Sequence, residues 1–151
     1  AAEGRPLSLG PVNRPVKTLT PRPRPNLIAD RDEVLANIDN NAVCLIDTLP
    51  EEFYRGELNA YGRPGHIPGA VSLNAMRLLD KNGRFRSAQE LAALHPFDKT
   101  ARTIAYCGGG IMASANAFVM TRLGFSDVAV YTASLQEWAA DPDNPMTIET
   151  I

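Results

Sequence analysis

Four short apolar runs, at 42–47, 70–73, 102–106 and 127–131, alternate with stretches that carry helical spacing and helical caps. Runs this short, bounded by turn residues, read as strands. Strands that alternate with helices build an α/β fold, with a mainly parallel central sheet flanked by helices on both faces. The helices announce their own starts and stops. Asp30 and Glu33 form a capping-box pattern for a helix over Arg31 to Ile38, which sets Val34, Leu35 and Ile38 on one face. Glu51 to Gly56 is a short helix, and Ser87 with Glu90 caps another that runs to Leu94. Ala113 to Leu123 stops at Gly124, and Ser134 to Ala140 stops at Asp141-Pro142.

At 151 residues the chain is one domain with room for a real core, and it divides unevenly. Residues 1–25 carry Pro6, Pro11, Pro15, Pro21, Pro23 and Pro25, so they form an extended arm or linker that cannot enter a sheet interior. Residues 26–151 form the folded domain. The arm is basic: Arg5, Arg14, Lys17, Arg22 and Arg24 against Glu3 leave it at +4, so the remainder holds −6 of the net −2. These cations are spread among prolines with no aromatic between them, which offers no platform for bases, so no nucleic-acid partner is expected. No run approaches the roughly 18 apolar residues of a membrane span, and no apolar leader is visible, so no membrane partner is expected. Cys44 sits within an apolar run and reads as core. Cys44 and Cys107 are both expected to be free, which fits a cytoplasmic location.

Cys107 carries the chemistry. It ends the apolar run Thr103-Ile104-Ala105-Tyr106, and Gly108-Gly109-Gly110-Ile111-Met112 follows before a helix. Strand, cysteine, glycine turn and helix place a thiol where the unpaired N–H groups of a helix N-terminus converge. Such a cysteine is expected to react as the thiolate. The glycines let the backbone curl around the sulfur. In open parallel sheets reactive groups gather at strand C-terminal ends, where Cys107 falls.

Three further features bear on the site. Gly65-His66-Ile67-Pro68-Gly69-Ala70 is a turn, with Pro68 presetting φ and Gly69 supplying a positive φ. His66 suits backbone locking better than base catalysis. Arg55 and Arg63 precede that turn. Composition alone makes them solvated surface arginines, although guanidinium pairs also grip anions. Asp47, at a strand end, either orients a partner in the site or satisfies local N–H groups. Two distant cysteines and the separate His66 and His95 make no metal-ligand spacing, and there is no phosphate loop or dinucleotide fingerprint. No metal or cofactor is expected.

Taken together, these segments resemble the rhodanese (sulfurtransferase) family. The match lies in Leu45-Ile46-Asp47, in Gly65-His66-Ile67-Pro68-Gly69-Ala70, and in Tyr106-Cys107 with its loop and helix. It continues through Gly124-Phe125-Ser126-Asp127-Val128-Ala129-Val130-Tyr131 with Trp138, so that roughly residues 26–146 are covered. The resemblance implies a two-step transfer: a small-molecule donor gives its outer sulfur to Cys107 as a persulfide, and a thiol or cyanide acceptor removes it. Gly108 through Met112 would stabilise that anion, with Asp47 and His66 supporting.

Family members that use thiosulfate carry basic side chains just after the cysteine, where this chain has Gly108 and Gly109. Its loop looks more like that of 3-mercaptopyruvate sulfurtransferases, which bind the substrate carboxylate with arginines here matched to Arg55 and Arg63. That family places a Ser where this chain has Gly109. The favoured donor is therefore 3-mercaptopyruvate, with thiosulfate second. The related phosphatases need a loop arginine, and Ala113 and Ser114 stand there instead. The alternative is a non-catalytic, sulfur-carrying or redox-sensing rhodanese module that binds proteins. The arm resembles the linker of tandem rhodaneses, which implies a second such domain or a homo-oligomer as partner.

Overall fold

The computed structural model describes residues 3, 4, 6 and 9–148; Arg5 of the basic arm and residues 149–151 lie outside them. Five strands form one sheet: β1 (Ile28–Ala29), β2 (Val43–Asp47), β3 (Val71–Ser72), β4 (Arg102–Tyr106) and β5 (Val128–Tyr131). Their order is β1-β5-β4-β2-β3, and every pairing is parallel. Helices α1 (Arg31–Ala36), α2 (Glu51–Tyr54), α3 (Ala88–Leu94), α4 (Ile111–Arg122) and α5 (Ser134–Trp138) connect and flank it. Single-turn 3-10 helices occupy Pro25–Leu27 and Ala75–Leu78.

The expected α/β architecture is present, and the departures from it have local reasons. β1 is an additional strand of two residues at the sheet edge beside β5, too short to show any alternation. In α1 the Asp30 side chain accepts the Glu33 N–H at 2.9 Å, as a cap should. The Glu33 carboxylate does not complete the box. It takes the Arg102 guanidinium at 2.7 and 3.0 Å and so ties α1 to the start of β4. Val34 is buried, while Leu35, the next position and so about 100° further round the helix, stays 45% exposed, off the core face. At α3 the Ser87–Glu90 box is complete in both directions.

Burial follows the central strands. Ile104, Ala105 and Tyr106 of β4 and Ile46 and Asp47 of β2 are fully enclosed. One buried cluster gathers Val34, Ile104, Tyr106, Leu135 and Trp138, and a second gathers Ile46, Leu73, Met120, Phe125 and Val128. At roughly 1.5–3 kcal/mol for each large apolar side chain removed from water, these clusters drive the sheet and helices together. Asp47 and Tyr106 sit in register, so the ends of β2 and β4 and everything that follows them share one edge of the sheet.

The arm from residue 9 to residue 24 has no regular structure and is exposed. No described helix is long and apolar enough to cross a membrane. Both cysteines are free.

Candidate active site

β4 ends at Tyr106, whose backbone is pinned before the chain turns. Its carbonyl accepts both the N–H and the hydroxyl of Thr48 at 2.9 Å, and its own hydroxyl accepts the Ile67 N–H at 3.0 Å. Cys107 follows, almost wholly buried. Its N–H donates to the Ser134 hydroxyl at 3.1 Å, and that hydroxyl donates to the Tyr131 carbonyl at 2.6 Å. Its carbonyl accepts Leu135 N–H at 3.1 Å, and Gly108 carbonyl accepts Gln136 N–H at 3.0 Å. The start of α5 thus braces the cysteine from outside the loop. Ser134 holds this position with φ at +54°, a left-handed conformation that a non-glycine residue reaches only at some cost.

The Gly110 N–H donates to Cys107 Sγ at 3.1 Å. Gly110 needs its glycine: φ is +82°, and a Cβ would lie 2.8 Å from the Thr132 carbonyl oxygen. The N–H groups of Gly108, Gly109, Ile111 and Met112 meet no acceptor among the described residues. They sit at or just before the first turn of the twelve-residue α4, where the dipole is positive. One N–H of the loop is thus on the sulfur, and the four others have no acceptor among the described residues.

An open pocket of about 420 Å³ reaches the sulfur. Leu49, Tyr61, Gly108, Gly109, Ile111, Met112 and Gln136 line it with Cys107. Nothing in the sequence marks Tyr61, Gln136 or Ser134 as part of this site: Tyr61 and Gln136 lie in a loop and a helix without a motif, and Ser134 reads only as the start of a helix. Its actual work is to hold a backbone N–H.

Arg55 and Arg63, expected from the resemblance to bind a substrate carboxylate, do not line the Cys107 pocket and have other partners. Arg63 turns its guanidinium onto the carbonyl oxygens of Trp138, Ala139, Pro142, Asp141 and Asn144, at 2.8–3.4 Å. It staples the segment after α5 to the loop before β3. Arg55 pairs with Glu57 at 2.8 Å and Glu51 at 3.3 Å beside Val71 and Ser72. Guanidinium donors suit carbonyls and local carboxylates as well as they suit a substrate anion, so spacing alone did not separate these uses.

His66 is structural, in line with the backbone-locking reading. Its ring stacks on Tyr54 with centroids 3.5 Å apart, and Nδ1 lies 2.7 Å from the Tyr54 carbonyl oxygen. Its backbone exchanges hydrogen bonds with Thr147. Gly69 has the positive φ expected of the turn, +77°.

Asp47 is fully buried beneath the site. One carboxylate oxygen accepts Leu49 N–H at 2.9 Å, and Oδ2 has no hydrogen-bond partner. Burial pushes its pKa up to about 6, against the opposing pull of the Leu49 N–H and the Tyr106 hydroxyl. Cys44 lines a separate pocket near Val43 and Phe97, where burial raises its pKa to about 11 and keeps it a protonated, unreactive thiol. Among the described residues no cluster of three or more His, Cys, Asp or Glu is arranged to hold a metal ion.

A parallel sheet with a helix-capped cysteine at the end of its central strand defines a class, and the sequence agrees with it. Residues 30–141 match the Rhodanese-like domain family, and the chain belongs to that family. It is 40% identical, over 91% of its length and 54% of the relative's, to a Mycobacterium bovis protein named "Putative thiosulfate sulfurtransferase 1". It is 30% identical, over 83% of its length and 46% of the relative's, to a Pseudomonas aeruginosa protein named "Probable 3-mercaptopyruvate sulfurtransferase". The chain spans about half the length of the curated relatives it matches. Among solved structures, a persulfide form of EanB in a tetrahedral intermediate state with ergothioneine superposes with a TM-score of 0.87. It does so at 22% identity, covering 99% of this chain and 39% of that one, which is a likeness of fold.

Proposed function

We propose that this domain is a sulfurtransferase whose Cys107 carries sulfur as a persulfide between a small donor and a thiol or cyanide acceptor. The observation that carries this reading is the Gly110 N–H 3.1 Å from Cys107 Sγ, in an open pocket lined by residues whose N–H groups have no acceptor among the described residues. Those dipoles favour a sulfur anion, both as attacking thiolate and as stored persulfide. Membership of the rhodanese-like family supports the same reaction class.

The favoured donor is 3-mercaptopyruvate. Among the described residues no Lys or Arg lines the pocket, so a thiosulfate dianion would enter without a charge partner. A mercapto acid brings its single carboxylate on a neutral chain. The Cys107 thiolate attacks the donor sulfur, the S–S bond forms, and the S–C bond breaks with its electron pair left on the three-carbon fragment. The donor's thiol proton ends on that carbon, giving pyruvate and a persulfide anion. The names carried by relatives divide between the two donors.

The test is intact-protein mass spectrometry after incubation with each donor. Wild type and Cys44→Ser gain the mass of one sulfur, and Cys107→Ser does not. Absence of a gain with either donor would favour a protein-binding or redox-sensing module instead.

A further inference from the structure

Gly108 and Gly109 directly follow Cys107, and other residues already fill the space that a side chain would take there. A Cβ on Gly108 would lie 2.0 Å from the Tyr61 hydroxyl oxygen and 2.4 Å from the ring carbon that bears it. A Cβ on Gly109 would lie 3.0 Å from the Gln136 carboxamide oxygen. Gly108 does not have a positive φ, so its backbone tolerates a side chain. What excludes one is the Tyr61 ring, packed flush against the catalytic loop.

Tyr61 itself is half-buried in the pocket wall, its ring 6.0 Å from that of Phe53. Its hydroxyl makes no hydrogen bond among the described residues, although its backbone N–H is satisfied by Asn59 at 3.1 Å. Burial, and then the negative charges of Cys107 and Asp47, hold the phenol proton more tightly than usual. It therefore remains an O–H donor at neutral pH, in the pocket that Cys107 also lines and without an acceptor among the described residues.

We propose that Tyr61 is a catalytic residue, whose hydroxyl donates a hydrogen bond to an oxygen of the donor's anionic fragment as the bond to sulfur breaks. The assignment rests on the sulfur-transfer reading of Cys107 and names what recognises the donor in place of Arg55 and Arg63. For a mercapto acid the developing charge lies on an enolate oxygen, for thiosulfate on a sulfonate oxygen, and the phenol serves either. Tyr61 keeps its own proton throughout, so the overall balance of the reaction is unchanged. Gly108 belongs to the same device: as glycine, it lets the hydroxyl come this close.

The experiment reads protection of Cys107 from alkylation by iodoacetamide, titrated with pyruvate and separately with sulfite. Wild type, Tyr61→Phe and Gly108→Ala are compared, and donor-dependent sulfur loading is followed in parallel. Tyr61→Phe keeps the ring against Phe53, so its thermal midpoint is expected to match wild type. Protection by at least one of the two anions is expected to weaken about tenfold or more in Tyr61→Phe, and Gly108→Ala, which pushes the ring away, should follow it. Equal protection in wild type and Tyr61→Phe overturns the assignment, as does the absence of protection in wild type. Protection without any sulfur loading would instead sink the transfer reading while leaving the anion contact standing.

Discussion

Two glycine-containing turns sit close to the Cys107 edge of the sheet and work by opposite rules. In the turn over residues 65–69, the glycines face backbone. A Cβ on Gly65 would fall 2.0 Å from the Thr147 carbonyl oxygen, and one on Gly69 would fall 2.7 Å from the Ile38 carbonyl oxygen, both at positive φ. In the loop after Cys107 only Gly110 is of this kind, while Gly108 and Gly109 face the side chains of Tyr61 and Gln136. Glycine against backbone is a requirement of the fold, because neither partner can yield. Glycine against a side chain is a setting of the site, because the side chain can be exchanged or moved. A sequence shows the same letter in both places.

Substitution at the first turn should break that comparison most severely. Gly65→Ala is expected to lose more than roughly 4 kcal/mol of stability, combining a forbidden φ with a clash against an immovable carbonyl. Urea unfolding measures it, and a near-native midpoint would mean that the 65–69 turn can yield as the catalytic loop does.

A smaller effect belongs to the arginine that ties the first turn's flank to the segment after α5. Arg63→Ala leaves five carbonyl oxygens without their shared donor and should cost roughly 2–4 kcal/mol. Arg55→Ala should leave the thermal midpoint unchanged, since its ion pairs lie at the surface. Differential scanning calorimetry on both variants separates the staple from the surface pair.

A pH-dependent effect of comparable size to the staple's concerns Asp47, below the Cys107 loop. Its folded pKa of about 6 lies above the ordinary 3.8, so the folded state holds the proton more firmly than the unfolded chain. Stability contributed by this group is fully present below about pH 4 and falls as pH rises through 6, by on the order of 2–3 kcal/mol. Asp47→Asn removes that slope. Unfolding free energies at a series of pH values, wild type minus variant, would refute it if the difference stayed flat from pH 4 to 7.

Much of the frame was legible because its signals are local. Ser87 and Glu90 announce α3 within four residues, and Thr103 to Tyr106 can only be a short buried strand. Cys107 and its loop could be read for the same reason: strand, thiol, glycines and helix follow one another in the chain. α4 begins at Ile111 rather than Ala113, directly after the left-handed Gly110. What stayed hidden depends on contacts made across the fold. Arg63 meets its carbonyls 75 to 81 positions away, and nothing near it in sequence marks a staple rather than an anion grip. Tyr61 reaches Gly108 from a loop without a motif, and the left-handed backbone of Ser134 leaves no trace in residue type.

If Cys107 carries sulfur as proposed, the pinned backbone around it governs how that sulfur travels. Thr48 holds the carbonyl before it, Ser134 holds its N–H, and the N–H groups of Leu135 and Gln136 hold the next two carbonyls. A loaded sulfur has no swinging arm. Its freedom is rotation about the cysteine's own side-chain bonds. Delivery then depends on the visitor: an acceptor must bring its nucleophile down to a stationary sulfur, so the width of the pocket mouth decides which thiols can collect.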